Sequence, residues 1–559
     1  MTILPPNVSA AEFASAMSAF EAAVGKEWVL SSDMDIAAYR DPWSMVRDKP
    51  GELLPSAAVA PASVEEVQAV VRVANQFKIP LYTVSTGKNY SYGGAAPNVR
   101  GSVIVDLKRM KQIIEIDGDR NFALVEPGVT YFDLYREIQA RGLKLMIDNP
   151  DPAWGSPSGN SLDRGVGYTM GPYRDHASSV CGIEVVLASG EVMRTGMGAL
   201  PGSKSWQEYK HGFGPDPAGL FFQGNYGIVT KVGVRLMPMP EHYRTGKITV
   251  PRRHDLHGLI KTVNYLADMF MVGEPVFSSP LHPLMKNKEF ADEATRYGKF
   301  NDDRLDEMAA EANLPFYQVE LQFYGSEATT RANWEYAQEI ARRNVPESKA
   351  LDGVSYSMPL TREQIMDKSP PYGESAIRRY AAVAVPNLTT FDYVGRHVEN
   401  PDDYVHLHYG MFTVVPRSAE AVFEVQRAWV DLVHDAKATL VTEQTPRPSA
   451  LTLPMQWHQT CFFMWAGFPL QTTKRPISEA LLDMLERVLE VNAKHGWSEY
   501  RSEPMLQDKV AAHYNFNDFA LRRFNETIKD AVDPNGILSP GRGGIWPKAF
   551  RSMRGKVGL

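Results

Sequence analysis

From Ser56 to Met239 the apolar positions follow two alternating rhythms. Ser63 stands three residues before Glu66, and Val64, Val67, Val71 and Ala74 recur at helical spacing, which predicts an N-capped amphipathic helix. Short runs at 103–107 and 122–126 read as strands, and a second helix starts after Thr130, carries Leu134 and Ile138, and stops at Gly142. Residues 183–195 read as a hairpin turning at Ser189-Gly190, and 227–237, closed by Pro238 and Pro240, as the last strand before a boundary.

Beyond about Glu241 helices lengthen and Gly-rich turns thin out. The clearest follow Ser418, with Val422, Val425, Trp429 and Val433, and Ser478, with Leu481, Leu482, Leu485 and Leu489, ending at Gly496. After Tyr500 a Gly and Pro rich style returns. The expected division is therefore 1–240, 241–499 and 500–559, the last segment completing the first domain. A chain of 559 residues that is 44% hydrophobic has more apolar material than one core absorbs, which agrees with this division.

Composition narrows the partners. A formal charge of -7 with evenly scattered Lys and Arg offers no basic face for nucleic acid, so a small molecule is expected. Cys181 and Cys461 stand far apart without CxxC spacing, which points away from a disulfide framework and a thiolate metal site; no metal is expected, and the chain reads as cytoplasmic. Residues 1–24 lack a basic segment followed by an apolar one, and no run of about eighteen apolar residues predicts a membrane span.

Three glycine-rich stretches are candidates for chemistry. Ser85-Thr-Gly-Lys-Asn-Tyr-Ser-Tyr-Gly-Gly94 follows a short apolar segment, and its glycines let successive N–H groups converge on an anion. Val125-Glu-Pro-Gly-Val129 is the second, and Gly155-Ser-Pro-Ser-Gly-Asn160 running into Asp163-Arg-Gly-Val-Gly-Tyr168 the third. Together such turns can wrap a dinucleotide; taken alone, the first reads equally well as a surface turn, and each of the others is more often just a turn. Neither a Walker loop nor GxGxxG occurs, which disfavours an ordinary Rossmann site.

The sequence resembles the vanillyl-alcohol oxidase and para-cresol methylhydroxylase flavoproteins, which include eugenol oxidase. The resemblance is carried by Tyr92-Gly-Gly-Ala-Ala-Pro97, Val125-Glu-Pro-Gly-Val-Thr-Tyr131, Asp163-Arg-Gly-Val-Gly-Tyr-Thr169, Arg194-Thr-Gly-Met-Gly-Ala-Leu-Pro201, Gly227-Ile-Val-Thr230, Glu499-Tyr-Arg501 and Ala531-Val-Asp-Pro-Asn-Gly536. It implies an α+β fold, in which a two-part FAD-binding domain receives an inserted α+β cap domain. It also implies hydride transfer from the benzylic carbon of a para-substituted phenol to FAD, through a quinone methide. O2 is the expected electron acceptor, a cytochrome c the alternative. A flavin-binding scaffold without turnover is a third reading, disfavoured by the joint presence of Tyr92, Asp151, Tyr500 and Arg501. Relatives suggest a homodimer.

For site residues the resemblance implies Tyr92, Tyr500 and Arg501 around the phenol oxygen and Asp151 beside the benzylic carbon, with Asp148 as the competing carboxylate. It places FAD against Ser85, Thr86, Gly87, Lys88, Asn89, Gly93, Glu126, Pro127, Gly128, Gly159, Asn160, Gly167, Tyr168, Ile228 and Arg542. The implied covalent link to FAD runs through His408, followed here by Gly410, Phe412 and Thr413 but not by the family's Ser-Pro pair; His406, on the same strand face, is the fallback.

Overall fold

A computed structural model gives the fold. It describes residues 3–42, 44, 46–90, 92–281, 302–366, 380–389, 407–435, 455–458, 460–470 and 479–558. These fall into two compact units. One comprises Met1–Gly167, Asp175–Met237 and Arg501–Leu559; the other comprises Tyr168–Arg174 and Pro238–Tyr500.

In the first unit, helix α1 (Ala10–Val24) starts from a Ser9–Glu12 capping box and buries Phe13, Ala16 and Phe20. Strands β1 (Val29–Leu30) and β2 (Ala57–Val59), helix α2 (Val64–Phe77) and strands β3 (Leu81–Val84) and β4 (Val103–Asp106) follow. The four strands form one sheet in the order β1-β2-β4-β3, whose β2-β4-β3 part is parallel. Ser63 caps α2 by accepting the Glu66 N–H, while the Glu66 carboxylate reaches one residue further back, to the Ala62 N–H at 2.7 Å. Val67, Val71 and Ala74 pack against the α1 side chains in one core, as their spacing predicts.

A second sheet of this unit is antiparallel: β5 (Ile113–Asp117), β6 (Phe122–Val125), β9 (Gly227–Arg235), β7 (Val180–Leu187) and β8 (Val192–Arg194), in that spatial order. Helix α3 (Tyr131–Ala140) starts at a Thr130–Asp133 capping box and buries Leu134 and Ile138 beneath the sheet. The hairpin turns at Gly190, whose φ of +85° only glycine adopts cheaply.

The C-terminal segment returns to this unit and is sewn into it. Leu81 donates its N–H to Ile537 O at 2.7 Å and accepts from Ser539 N at 2.8 Å. Lys529, wholly buried, lies 2.7 Å from Asp533, donates to Leu538 O at 2.7 Å and also bonds Asn225 O. Asp533 in turn accepts the Ile537 and Leu538 N–H groups. Burial depresses the Lys529 pKa, opposed by the Asp533 charge.

Among the described residues the second unit is built on an eight-stranded sheet. In chain order its elements are β10 (His242–Val250), α4 (Leu256–Asp268), β11 (Val276–Ser278), β12 (Tyr317–Gly325), α5 (Glu327–Asn344), β13 (Lys349–Ser357), β14 (Leu407–Pro416), α6 (Ala419–Asp435), β15 (Met455–His458), β16 (Cys461–Leu470), α7 (Glu479–Lys494) and β17 (Ser498–Glu499). The spatial order is β13-β10-β12-β11-β15-β16-β14-β17. Both helices anticipated after Ser418 and Ser478 are present, with Val422, Val425, Trp429, Leu485 and Leu489 buried; the side chains of Val433, Leu481 and Leu482 lie outside the described residues. No helix among the described residues is long and apolar enough to cross a membrane.

The Lys529–Asp533 pair generates a prediction. Lys529→Met leaves a buried carboxylate without its cation, so urea unfolding should show a loss of about 3–5 kcal/mol. A loss below about 1 kcal/mol would mean that the tail is held by its strand pairing alone.

Candidate active site

The glycine-rich turns converge within the first unit. Ser85, Thr86 and Gly87 bend the chain directly after β3, and Gly87 and Gly93 take φ values of +65° and +98°. A Cβ on Gly93 would lie 2.6 Å from Pro504 Cδ, so this turn packs directly on the returning C-terminal chain. Ser156 caps the short helix Pro157–Leu162 by accepting the Gly159 N–H at 3.0 Å, and it donates to Ser85 Oγ at 2.9 Å. A Cβ on Gly159 would come within 2.2 Å of that Ser85 oxygen, so the two turns approach closely at this glycine. The Lys88 ammonium sits 5.0 Å over the Trp154 ring.

Other implied FAD contacts have clear local duties. Glu126 turns its carboxylate to the Gln112 N–H at 2.8 Å, and burial raises its pKa. Gly128, after Pro127, is pressed against the carbonyls of Leu107, Lys108 and Met110, each of which a Cβ would approach to 2.8 Å or less. The Ile228 side chain belongs to the core beneath α2. Tyr168 opens the short stretch assigned to the second unit. Ser158 Oγ and Asn149 Oδ1 are buried with no hydrogen-bond partner among the described residues. A cradle of close turns with orphaned polar atoms fits an extended dinucleotide such as FAD.

The two competing carboxylates have different surroundings. Asp148 is 3% exposed and accepts from His176 Nε2 at 2.8 Å; the other ring nitrogen of His176 meets Asn160 Oδ1 and, at 3.3 Å, the Tyr131 hydroxyl. A Cβ on Gly167 would lie 1.3 Å from Asp148 Oδ1, so the turn closes over this cluster. Asp151 is only partly buried, and its charge, after burial, raises the pKa of the Tyr90 hydroxyl.

Tyr92 and Arg501 meet in the first unit, where the Arg501 guanidinium lies 4.2 Å from the centre of the Tyr92 ring. Asp163 organises this corner. It lies 3.4 Å from Arg501 Nη1 and 2.5 Å from Arg542 Nη2, and it accepts from Asn89 Nδ2 at 2.9 Å. Arg542 also donates to the Tyr82 hydroxyl at 2.8 Å. Along the chain Asp163 reads only as part of a glycine-rich turn; an acidic residue inside that turn is the available signal.

Tyr500 belongs to the second unit. Its N–H donates to Phe412 O at 3.3 Å, and its ring stacks on Phe463 at 4.3 Å and meets Phe412 edge-on at 6.0 Å. The backbone of His408 lies on β14, opposite Pro469; its side chain, and all of His406, lie outside the described residues.

The fold has relatives. Residues 55–196 match the FAD binding domain model. The chain is 32% identical over 97% of its length to the 4-cresol dehydrogenase [hydroxylating] flavoprotein subunit of Pseudomonas putida, covering 98% of that protein. Among solved structures, 4-ethylphenol oxidase from Gulosibacter chungangensis, in complex with isoeugenol, superposes with a TM-score of 0.78 at 32% identity, covering 98% of this chain and 100% of that one. A p-cresol methylhydroxylase with substrate bound gives 0.80 at 30% identity, covering 97% and 99%.

Glu503, which precedes the helix Pro504–His513, provides a pH test. It is 3% exposed, and burial together with the nearby Asp41 charge raises its pKa to about 8. The native state therefore holds this proton more tightly than the unfolded chain, whose carboxyl titrates near pH 4.3. Its contribution to stability is fully present below that value and is lost as pH rises toward 8. Thermal unfolding of Glu503→Gln and the parent at pH 5 and pH 8 should show a smaller decline for the variant; equal declines would rule the effect out.

Proposed function

This chain belongs to the vanillyl-alcohol oxidase and para-cresol methylhydroxylase family of FAD-dependent oxidoreductases, and on that footing we propose that it oxidises para-alkylated or para-allylated phenols and 4-hydroxybenzylic alcohols, with O2 as electron acceptor. The observation that carries the substrate class is the Arg501 guanidinium on the face of Tyr92, held by Asp163. A permanent cation and phenolic hydroxyl donors suit a ligand whose charge sits on an aromatic oxygen, and hydroxy acids or sugars do not call for that set.

In this reading Tyr92, Tyr500 and Arg501 hydrogen-bond the phenol oxygen and lower its pKa, so the ring is held as its anion. Negative charge on that oxygen feeds the para carbon and eases departure of a hydride from the benzylic position, which leaves a para-quinone methide. The same three residues face the quinone methide oxygen as charge returns to it, an arrangement set before the reaction starts. Asp151 stabilises the electron-poor benzylic carbon or takes a proton from the water that adds there. FAD, when bound, supplies the two-electron acceptor. Residues 85–89, Gly93, Gly159, Asn160, Gly167 and Arg542 would hold it.

A second reading, in which a cytochrome c takes the electrons, is favoured by the full-length likeness to a hydroxylating dehydrogenase subunit. Mixing the holoenzyme anaerobically with 4-ethylphenol should bleach the flavin, and Arg501→Leu should slow the bleaching by roughly 100-fold. An unchanged rate in the variant would sink the anchoring role. Reoxidation of the reduced enzyme then separates the acceptors: rapid reaction with O2 and peroxide release supports the oxidase, whereas slow reaction with O2 and fast reaction with cytochrome c supports the dehydrogenase.

The proposed flavin link runs through His408, with His406 as the alternative. Acid-precipitated protein should stay yellow and His408→Ala should release the colour. Release by His406→Ala instead would move the link two residues.

A further inference from the structure

The residue before Tyr500 is a buried carboxyl with an unusual set of neighbours. Glu499 is 4% exposed, and no cation pairs with it among the described residues. Its Oε2 accepts the Phe412 N–H at 3.0 Å, and its Oε1 accepts the Thr413 hydroxyl at 2.9 Å. Thr413 Oγ1 in turn accepts from Asn492 Nδ2 at 2.9 Å, and Asn492 Oδ1 accepts from the Trp429 indole at 2.9 Å. All of these residues belong to the second unit.

The direction of the chain of bonds follows from its first member. An indole N–H can only donate, so Asn492 presents its oxygen to Trp429 and its amide hydrogens to Thr413. The Thr413 hydrogen is then directed at Glu499. A backbone N–H can only donate as well, so both oxygens of Glu499 act as acceptors. The network suits the ionised carboxyl, while burial works against that charge and moves its pKa up to about 7. A carboxyl that is buried and unpaired by a cation is costly for a merely structural bond.

Its geometric effect is specific. The Phe412 backbone is gripped by consecutive residues: its N–H by the Glu499 side chain, its C=O by the Tyr500 N–H. The Phe412 ring meets the Tyr500 ring edge-on, and Phe463 stacks on the same ring with an interplanar angle of 21°. Strand pairing of Thr413 with Glu499 closes the junction. The Tyr500 ring is therefore held at its backbone and at its edge by one residue, Phe412, whose own peptide is pinned by Glu499.

We propose that Glu499 is a positioning residue for Tyr500: by fixing the Phe412 peptide, its carboxylate sets where the Tyr500 hydroxyl meets the phenol oxygen. This rests on the reading of Tyr500 as a substrate anchor. Glutamine is nearly the same shape but turns an N–H2 toward one of two donors, so Glu499→Gln forces the junction to rearrange.

A double-mutant cycle on the FAD-loaded enzyme tests this, with 4-chlorophenol, which has no benzylic hydrogen, as the binding probe read by perturbation of the flavin spectrum. Glu499→Gln should weaken 4-chlorophenol about 10-fold, and Tyr500→Phe should also weaken it. The double variant should bind no worse than Tyr500→Phe alone, because Glu499 acts through that hydroxyl. Losses that simply add would overturn the proposal, since a general structural defect does not depend on Tyr500. Tight binding by Glu499→Gln beside a weakened Tyr500→Phe would overturn it while leaving the anchor reading intact. Undiminished binding by Tyr500→Phe would overturn both. If Glu499→Gln does not fold, Thr413→Val, which removes the donor to Oε1, enters the same cycle with the same expectations.

Discussion

The carboxylate of Asp163 is the interaction on which the candidate site depends most. Two guanidiniums, those of Arg501 and Arg542, approach it in a largely buried corner, and Asn89 adds an uncharged donor. Two buried cations without an anion between them would repel each other and lose hydration with no return. With Asp163 in place, one residue of the glycine-rich turn joins three stretches of chain: the loop after β3, the turn itself and the returning C-terminal segment. Arg501 is the first residue of that segment, so the same charge that ties the domain together also orients a proposed substrate anchor.

Glycine makes this convergence possible. Gly93 against Pro504, Gly159 against Ser85 and Gly167 against Asp148 are contacts in which a Cβ would occupy the space of a neighbouring atom. Backbone that comes this close leaves its N–H groups able to face a ligand, which suits a long, anionic cofactor better than side-chain contacts alone. The His176–Asp148 pair supports the arrangement from below. It engages one of two carboxylates that lie three residues apart.

Much of this was legible along the chain. Helical spacing located α2, α3, α6 and α7 through residues such as Val67, Val71, Leu134 and Trp429, because one buried face must repeat every three to four positions. Turn chemistry located the hairpin at Gly190 and the glycine-rich loops. Ser63 caps α2 as its spacing predicts, while the Glu66 carboxylate serves the Ala62 N–H. The cluster around Asp148 was not legible, because its members at 131, 148, 160 and 176 meet only after the turns have folded together.

By itself the sequence determined the kind of protein: its periodicities, its turns and motifs such as Glu499-Tyr-Arg501 belong to short stretches, where local sterics and hydrogen bonding decide the outcome. Tertiary structure alone decided which polar residues pair. Asp163 with Arg542, Asp148 with His176 and Glu499 with Thr413 are separated by dozens to hundreds of residues. Their partnership follows from burial, which removes water as a competitor and makes an unpaired polar group costly.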